Sequence, residues 1–339
     1  MSTLPKISSL WIGGRLSWLE QLCLVSFAHA GHETTLYTYE HIDNVPPEVN
    51  QKSAEDIFPS EPMLRHARTG SPAIHADMWR LNLLAKRDEI WVDADMYCYR
   101  PFAYKTPFVF GWEKPGLICN AVLGLPQDSE SLHQMLEFFK DEYAIAPWLK
   151  PWQRAELEAE AEAGRPVHMT QQNWGFTGPA AVTYFLEKTG EAKYAQPEAA
   201  FYPVPFKPRN HMIMTRFNIE EQYLTDETCG VHFWARRMKP RLEEKEGGVP
   251  RGGSFMDKVM KKHGVDPLAA PIPTKHKTDD ERYHDAAFCA ELALEALAKD
   301  ASPELIARKH NVEPRFVKQC AKHLRENAAL TFKDYNYKN

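Results

Sequence analysis

Asp93 and Asp95 are the residues of this chain whose types and spacing most suggest chemistry. They close the run Ile90-Trp91-Val92-Asp93-Ala94-Asp95, an apolar stretch ending in two carboxylates spaced i, i+2. On an extended strand that spacing sends both side chains to the same side. Two carboxylates facing one way repel unless a cation lies between them. A hard divalent ion, Mn²⁺ or Mg²⁺, takes oxygen ligands and leaves positions for phosphate oxygens. The expectation is a metal held by Asp93 and Asp95 that grips the diphosphate of a nucleotide-sugar. Taken alone, Asp-x-Asp is also the mark of a solvated turn, so the surrounding residues must decide.

The elements that would position this pair read as alternating strands and helices. Residues 7–12 form a first strand closed by Gly13-Gly14, and 16–30 a helix with Leu19, Leu22, Cys23 and Phe27 on one face. Gly31 stops that helix, and 33–39 is a second strand rich in Thr, Tyr and Leu. Such a βαβ opening predicts an α/β sheet with parallel strands. Ser71-Pro72 starts a helix through Asp77, Trp79, Arg80, Leu83 and Leu84 to Lys86, feeding the strand that carries the aspartates. The carboxyl end of a buried strand is where open α/β sheets hold ligands. Further strands are expected at 108–112, 117–125 and 229–234, with a short extended piece at 201–206. Helices are expected at 129–140, 154–164 and from Pro179 to Lys188.

The composition is that of a globular protein: 339 residues, 43% hydrophobic and 26% charged. A net charge of −5 gives no global sign of a nucleic-acid partner, so any basic surface must be local. Six scattered cysteines, with no Cys-x-x-Cys, argue against a zinc site and suit a reducing compartment. The start lacks the apolar run of a signal peptide, and no apolar stretch is long enough for a membrane span. The expected location is the cytoplasm.

The ordered series Leu10-Trp11-Ile12-Gly13-Gly14, Ala76-Asp77-Met78-Trp79-Arg80 and Trp91-Val92-Asp93-Ala94-Asp95 with Arg100-Pro101 carries a resemblance. Asn120-Ala121-Val122-Leu123-Gly124, Thr177-Gly178-Pro179 and Gly230-Val231-His232-Phe233-Trp234 extend it. Over about residues 7 to 240 the chain resembles the DXD-containing, GT-A-fold glycosyltransferases of the capsular-polysaccharide and α-1,4-glycosyltransferase group. The fold this implies is α/β, a Rossmann-like mixed sheet flanked by helices. The resemblance implies that Asp93 and Asp95 bind the ion and are central to catalysis, with His232 as a third contact to metal or diphosphate. It implies that Asp77 and Arg80, which share a helix face at i, i+3, bind the donor sugar. Trp11 would flank the base, and Asn120, Asn173 and Trp174 would line the sugar and acceptor side. Such enzymes mostly retain the anomeric configuration, by a front-face path that needs no strong protein base. Without the neighbouring motif, Asp77 and Arg80 read as a surface ion pair, and His232 and Trp11 as core residues. The chain departs from the family at Arg87-Asp88-Glu89, where a Gly-Gly is usual. No Walker-type or Gly-x-Gly-x-x-Gly loop is present, which speaks against kinases and dinucleotide enzymes.

Beyond Trp234 the composition changes. Residues 236–262 hold nine Lys or Arg against four Asp or Glu, and 267–278 bears Pro and Lys. The expected division is a glycosyltransferase domain over 1–245, a basic linker over 246–282 and a small all-α domain over 283–339. That last part resembles the helix-turn-helix at the start of insertion-sequence transposases, on Leu292 to Leu297, Ser302 to Val312 and Pro314 to Gln319. Ser302 caps and Pro303 opens its second helix. Ala307 is small where helices cross, Asn311 suits the turn, and Val317 packs back. The third helix would show Arg315, Lys318, Gln319, Lys322 and Arg325 to DNA. A three-helix packing or dimerisation module is the plainer alternative.

Together the halves suggest an enzyme that takes a sugar from a nucleotide-sugar such as UDP-glucose and places it on a hydroxymethylated pyrimidine in DNA, as phage DNA-base glycosyltransferases do. A surface polysaccharide or glycolipid acceptor is one alternative. A non-catalytic, DNA-binding sugar-nucleotide sensor is another.

Overall fold

The computed structural model describes residues 4–172, 175–273, 286–298, 301–310, 312 and 314–331. The chain divides into two compact units, residues 1–272 and 273–339.

The first unit opens with strand β1 (Ile7–Trp11), helix α1 (Trp18–His29) and strand β2 (Thr34–Thr38). α1 starts where Ser17 and Glu20 cap each other, the Glu20 carboxylate accepting from the Ser17 N–H at 3.0 Å. β3 (Asn50–Ser53) follows, then α2 (Ala73–Lys86), β4 (Ile90–Val92) and β5 (Met96–Cys98). β6 (Val109–Lys114) and β7 (Leu117–Gly124) form a hairpin. The helices α3 (Glu130–Phe138), α4 (Pro151–Glu162), α5 (Pro179–Thr189), α6 (Glu198–Phe201) and α7 (Ile219–Gln222) come next. β8 (Gly230–His232), α8 (Ala235–Glu246) and α9 (Phe255–Lys262) complete the unit.

The main sheet runs β3-β2-β1-β4-β7-β6. β3, β2, β1 and β4 are parallel, while β7 lies antiparallel to both β4 and β6. The parallel arrangement implied by the βαβ opening therefore holds for four of the six strands, and the fold is the mixed α/β sheet flanked by helices. β2 and β4 are buried along their whole length, as strands covered on both faces must be. Trp79, Leu83, Leu84, Trp91, Phe110, Leu123, Phe176 and Phe185 fill one core cluster, built largely from α2, α5 and the sheet. Trp18, Leu22, Tyr97, Phe233, Met238, Leu242, Phe255 and Met260 fill another, from α1, α8, α9 and the small β5-β8 sheet. The chain leaves β1 through α1 to β2 on one side, while β4 lies on the other. The carboxyl ends of β1 and β4 thus flank a topological switch point, where an open α/β sheet leaves a crevice.

Three expectations need correction. β4 ends at Val92, so Asp93 and Asp95 sit in the turn between β4 and β5 rather than on the strand. The short extended piece expected at 201–206 begins inside α6, which ends at Phe201, and the residues after it join no described strand. The stretch from 246 to 272, expected to be linker, packs into the first unit. Phe255, Met256, Val259, Met260, Ala270 and Ile272 are buried there, and the Trp18 indole N–H donates to the Gly248 carbonyl at 2.9 Å.

The second unit contains α10 (Ala286–Leu297), α11 (Pro303–Lys309) and α12 (Pro314–Thr331). Leu292, Ala293, Ile306, Ala307, Val312, Val317 and Cys320 make its core. The Ser302 hydroxyl caps α11 by accepting from the Leu305 N–H. Asn311 lies outside the described residues.

Candidate functional site

Arg80 organises the floor of the site. It projects from α2, is 6% exposed, and reaches four acceptors, one of them the Ala76 carbonyl on its own helix at 3.4 Å. Its guanidinium stands 3.2 Å from Asp77 and 3.2 Å from Asp93, and it donates to the Asn120 carbonyl. It also lies 4.6 Å over the Trp91 ring, whose indole N–H donates to Asp93 at 2.8 Å. A buried guanidinium is tolerable only when paired and hydrogen-bonded in this way. Asp77 is held in turn by Asn120, which donates at 2.9 Å, and by the Thr177 hydroxyl, which donates at 2.6 Å. Gly178 allows that approach, since a Cβ there would stand 3.3 Å from Asp77 Oδ2.

Asp95 is fixed from the other side. The Ala235 N–H at the start of α8 donates to its Oδ2 at 2.7 Å, and His232 Nε2 lies 3.2 Å from its Oδ1. His232 is the last residue of β8 and pairs with Met96, immediately after the aspartate turn. Trp234 makes the sharp turn into α8 in the left-handed region, at φ 56°. That conformation strains a bulky residue by about 1–2 kcal/mol. The indole is anchored against the strain, donating to the Val204 carbonyl at 3.1 Å and lying 4.0 Å from the His232 ring.

Burial, only partly offset by Arg80, lifts the Asp93 carboxyl above the usual carboxylate range. Burial acts on Asp95 too, but His232 and the Ala235 N–H outweigh it and hold that carboxyl below the range. Burial pulls the His232 imidazole down, and Asp95 overcomes it, so the ring is shifted upward. One ligand atom from each of Asp93, Asp95 and His232 lies within 4.8 Å of the others. His232 Nδ1 is buried and has no hydrogen-bond partner among the described residues. Two carboxylates and an imidazole around one point fit a divalent ion, and the imidazole favours Mn²⁺ over Mg²⁺.

These groups line a cavity of about 590 Å³. Of the residues singled out in the sequence, Asp77, Arg80, Asp93, Asp95, Asn120 and His232 come together on its wall. Trp11 does not. It ends β1, donates to the Gly14 carbonyl at 2.7 Å, and opens on a separate cavity of about 550 Å³ shared with Tyr39, Glu55 and Arg65. Lys239 links the two regions, standing 5.3 Å over the Trp11 ring and helping to hold Asp95 low. Asn173 and Trp174 lie outside the described residues, although Gly175 and Phe176 line the main cavity. Arg315, Lys318, Gln319, Lys322 and Arg325 all lie exposed on α12 in the second unit.

Sequence reasoning missed the cavity's basic wall, which includes Arg68, Arg236 and Arg237 beside Phe206 and Trp234. The signal for part of it was the run His232-Phe233-Trp234-Ala235-Arg236-Arg237, which continues the site motif directly into two arginines.

No protein-family model matches the chain, and no curated protein matches it. Solved structures do match. One, described as PaToxG Glycosyltransferase, is similar with a TM-score of 0.36 and 14% sequence identity, over 56% of this chain and 71% of that one. At that TM-score the likeness carries no weight for the site, whose reading rests on its own geometry. Among the described residues no helix is long and apolar enough to cross a membrane.

Proposed function

We propose that the first unit is a metal-dependent, retaining glycosyltransferase that takes its sugar from a nucleotide-sugar, UDP-glucose or a near relative. We propose further that the acceptor is a hydroxymethylated pyrimidine in DNA. The observation that carries the first part is the convergence of Asp93, Asp95 and His232 within 4.8 Å, at the crevice beside the carboxyl end of β4. Those three side chains would hold Mn²⁺. A bound ion would supply Lewis-acid assistance to the departing nucleoside diphosphate. Around it, each side chain has a definable task. Asp77, oriented by Asn120 and Thr177, keeps lone pairs able to accept from a sugar hydroxyl. Arg80 holds Asp77 and Asp93 in register, so the sugar and the ion are positioned by one guanidinium. His232 and the Ala235 N–H keep Asp95 ionised and aimed.

The DNA acceptor draws its support from the second unit. Positions 315, 318, 319, 322 and 325 follow the three- and four-residue spacing that shares a helix face, and all five side chains are exposed. A basic helix face of this kind suits phosphate and base-edge contacts in a major groove.

The test offers labelled UDP-glucose and Mn²⁺ together with hydroxymethylated duplex DNA, plain duplex DNA or no acceptor. The expected outcome is label on the hydroxymethylated duplex alone. Donor hydrolysis without label on DNA would refute the acceptor and leave the donor chemistry standing. DNA binding with neither transfer nor hydrolysis would refute the enzyme.

A further inference from the structure

Four acids line the main cavity among the described residues: Asp77, Asp93, Asp95 and Glu113. Three of them are committed. Asp77 is held by Asn120, Thr177 and Arg80. Asp93 is held by Arg80 and the Trp91 indole, and Asp95 by the Ala235 N–H and His232. Glu113 is the exception. Among the described residues its carboxylate has no hydrogen-bond or ion-pair partner. It is half-buried, and its charge is felt at the aspartate turn. Burial acts first on the His232 imidazole, Asp95 and then Asp93 oppose it, and Glu113 adds to the upward shift. A carboxylate drawn part-way out of water with nothing to pair it is a cost to the fold.

The backbone at Glu113 is irregular. Trp112 pairs with Ile118 and Lys114 with Leu117, so two steps on β6 oppose one on β7. Glu113 is the extra residue of a β-bulge, a device that re-aims a side chain beside a site. A charge on an edge strand also guards against edge-to-edge pairing. That explanation fails here, because the outer edge of β6 is already covered. The Trp112 N–H donates to the Gln196 carbonyl at 3.0 Å, and the Gln196 N–H donates to the Phe110 carbonyl at 2.8 Å.

Strand order says what Glu113 faces. Across the sheet run β1, β4, β7 and β6. β4 leads into Asp93 and Asp95, β7 carries Asn120 beside Asp77, and β6 carries Glu113. Neighbouring strands lie about 4.8 Å apart, so β6 runs about 10 Å from β4. With a diphosphate at the aspartate turn and its sugar held by Asp77 over β7, Glu113 lies beyond the sugar, on the side away from β1. That is the side left open to an acceptor hydroxyl.

We infer that Glu113 is the acceptor-side carboxylate of the site, the group that takes the hydrogen bond of the attacking hydroxyl and then its proton. The inference rests on the proposed transferase reading, since it needs a sugar to be transferred. In that step the bond between the anomeric carbon and the diphosphate oxygen breaks, and its electron pair leaves on the diphosphate. The acceptor oxygen bonds to the same carbon and gives its proton to a Glu113 oxygen. A carboxylate is a weak base, and a front-face path asks for no stronger one. The lack of a partner suits the task, because an ion pair would occupy the lone pairs that the hydroxyl needs.

The experiment compares the full chain with Glu113→Gln and Glu113→Asp. Thermal melts without ligand come first, because they depend on no reaction. A carboxylate without a partner stabilises nothing, so Glu113→Gln is expected to melt at or above the parent chain. A melt lowered by more than about 3 °C, the scale of one lost interaction in a large domain, would mark Glu113 as structural and overturn the inference whether or not sugar is moved. Turnover of UDP-glucose with Mn²⁺ is then followed with hydroxymethylated duplex DNA and, separately, with water as the acceptor. Glu113→Gln keeps the shape and an acceptor oxygen but takes up no proton at neutral pH. It is expected to lower kcat about a hundredfold, the scale of a lost general base, and to leave the donor KM unchanged. Glu113→Asp keeps the carboxylate and should recover part of that loss. An unchanged kcat in Glu113→Gln would overturn the inference, and so would a change confined to the donor KM, which would put Glu113 on the donor. No turnover by the parent chain with either acceptor, beside an unlowered melt, would refute the transferase reading and take the role of Glu113 with it.

Discussion

In the first unit Arg80 is buried and tied to Asp77, Asp93 and the Asn120 carbonyl. In the second, Lys318 and Lys322 stand exposed on α12 and face Glu304 and Glu326 across surface ion pairs. The two regions use charge in opposite ways. A buried guanidinium fixes the directions of two carboxylates, and losing it leaves them desolvated and unpaired. Exposed lysines fix nothing and exchange a glutamate for a phosphate at little cost. Geometry is thus concentrated in the first unit, where a reaction would need it, and exchangeable charge in the second, where a DNA backbone would.

The comparison can be broken in four places, from the largest expected effect to the smallest. Asp95→Asn should reduce sugar transfer at least about a thousandfold, by loss of an ionised ligand, while anisotropy shows DNA still bound. Retained transfer would mean that the buried carboxylates are structural. Arg80→Met should lower unfolding free energy by about 3 kcal/mol in denaturant titrations, because Asp77 and Asp93 lose a buried partner. A change below about 1 kcal/mol would place Arg80 in the same class as the surface lysines.

The third prediction concerns acid. His75 is fully buried, accepts from the Leu64 N–H and contacts the Tyr39 hydroxyl at 2.6 Å. Burial pulls its imidazole down from 6.5 to about 4. A lowered value means that the unfolded chain binds the proton more readily, so stability is full above pH 6.5 and falls as pH drops towards 4. Thermal melts should show that fall, and His75→Gln should flatten it. Last, Lys318→Ala with Lys322→Ala should weaken duplex binding about tenfold and reduce the salt slope by about 1.8. The melting temperature should move by no more than about 2 °C, since exposed pairs contribute little.

Much of this was legible in sequence because the informative residues are close together. Asp93 and Asp95 stand two apart, Asp77 and Arg80 one helical turn apart, and the strand-helix-strand opening is local. The rest depends on contacts that no local pattern encodes. The cavity's basic wall draws Arg68, Phe206, Arg236 and Arg237 from three distant segments. Residues 255–260 read as basic linker because lysines dilute the apolar spacing, yet Phe255, Met256, Val259 and Met260 are buried in the Trp18 cluster. The extended piece expected at 201–206 begins in α6 instead, which ends at Phe201. Trp11 fits the end of β1, but its ring turns towards Gly14 and a second cavity, which only side-chain packing determines.

The central claim is that Asp93, Asp95 and His232 together hold a divalent ion that the reaction needs. The most direct measurement follows sugar transfer after EDTA treatment and then on titration with Mn²⁺. The account predicts no transfer in EDTA, and recovery that saturates with Mn²⁺ in the intact protein but not in Asp95→Asn. Full transfer in EDTA would contradict it.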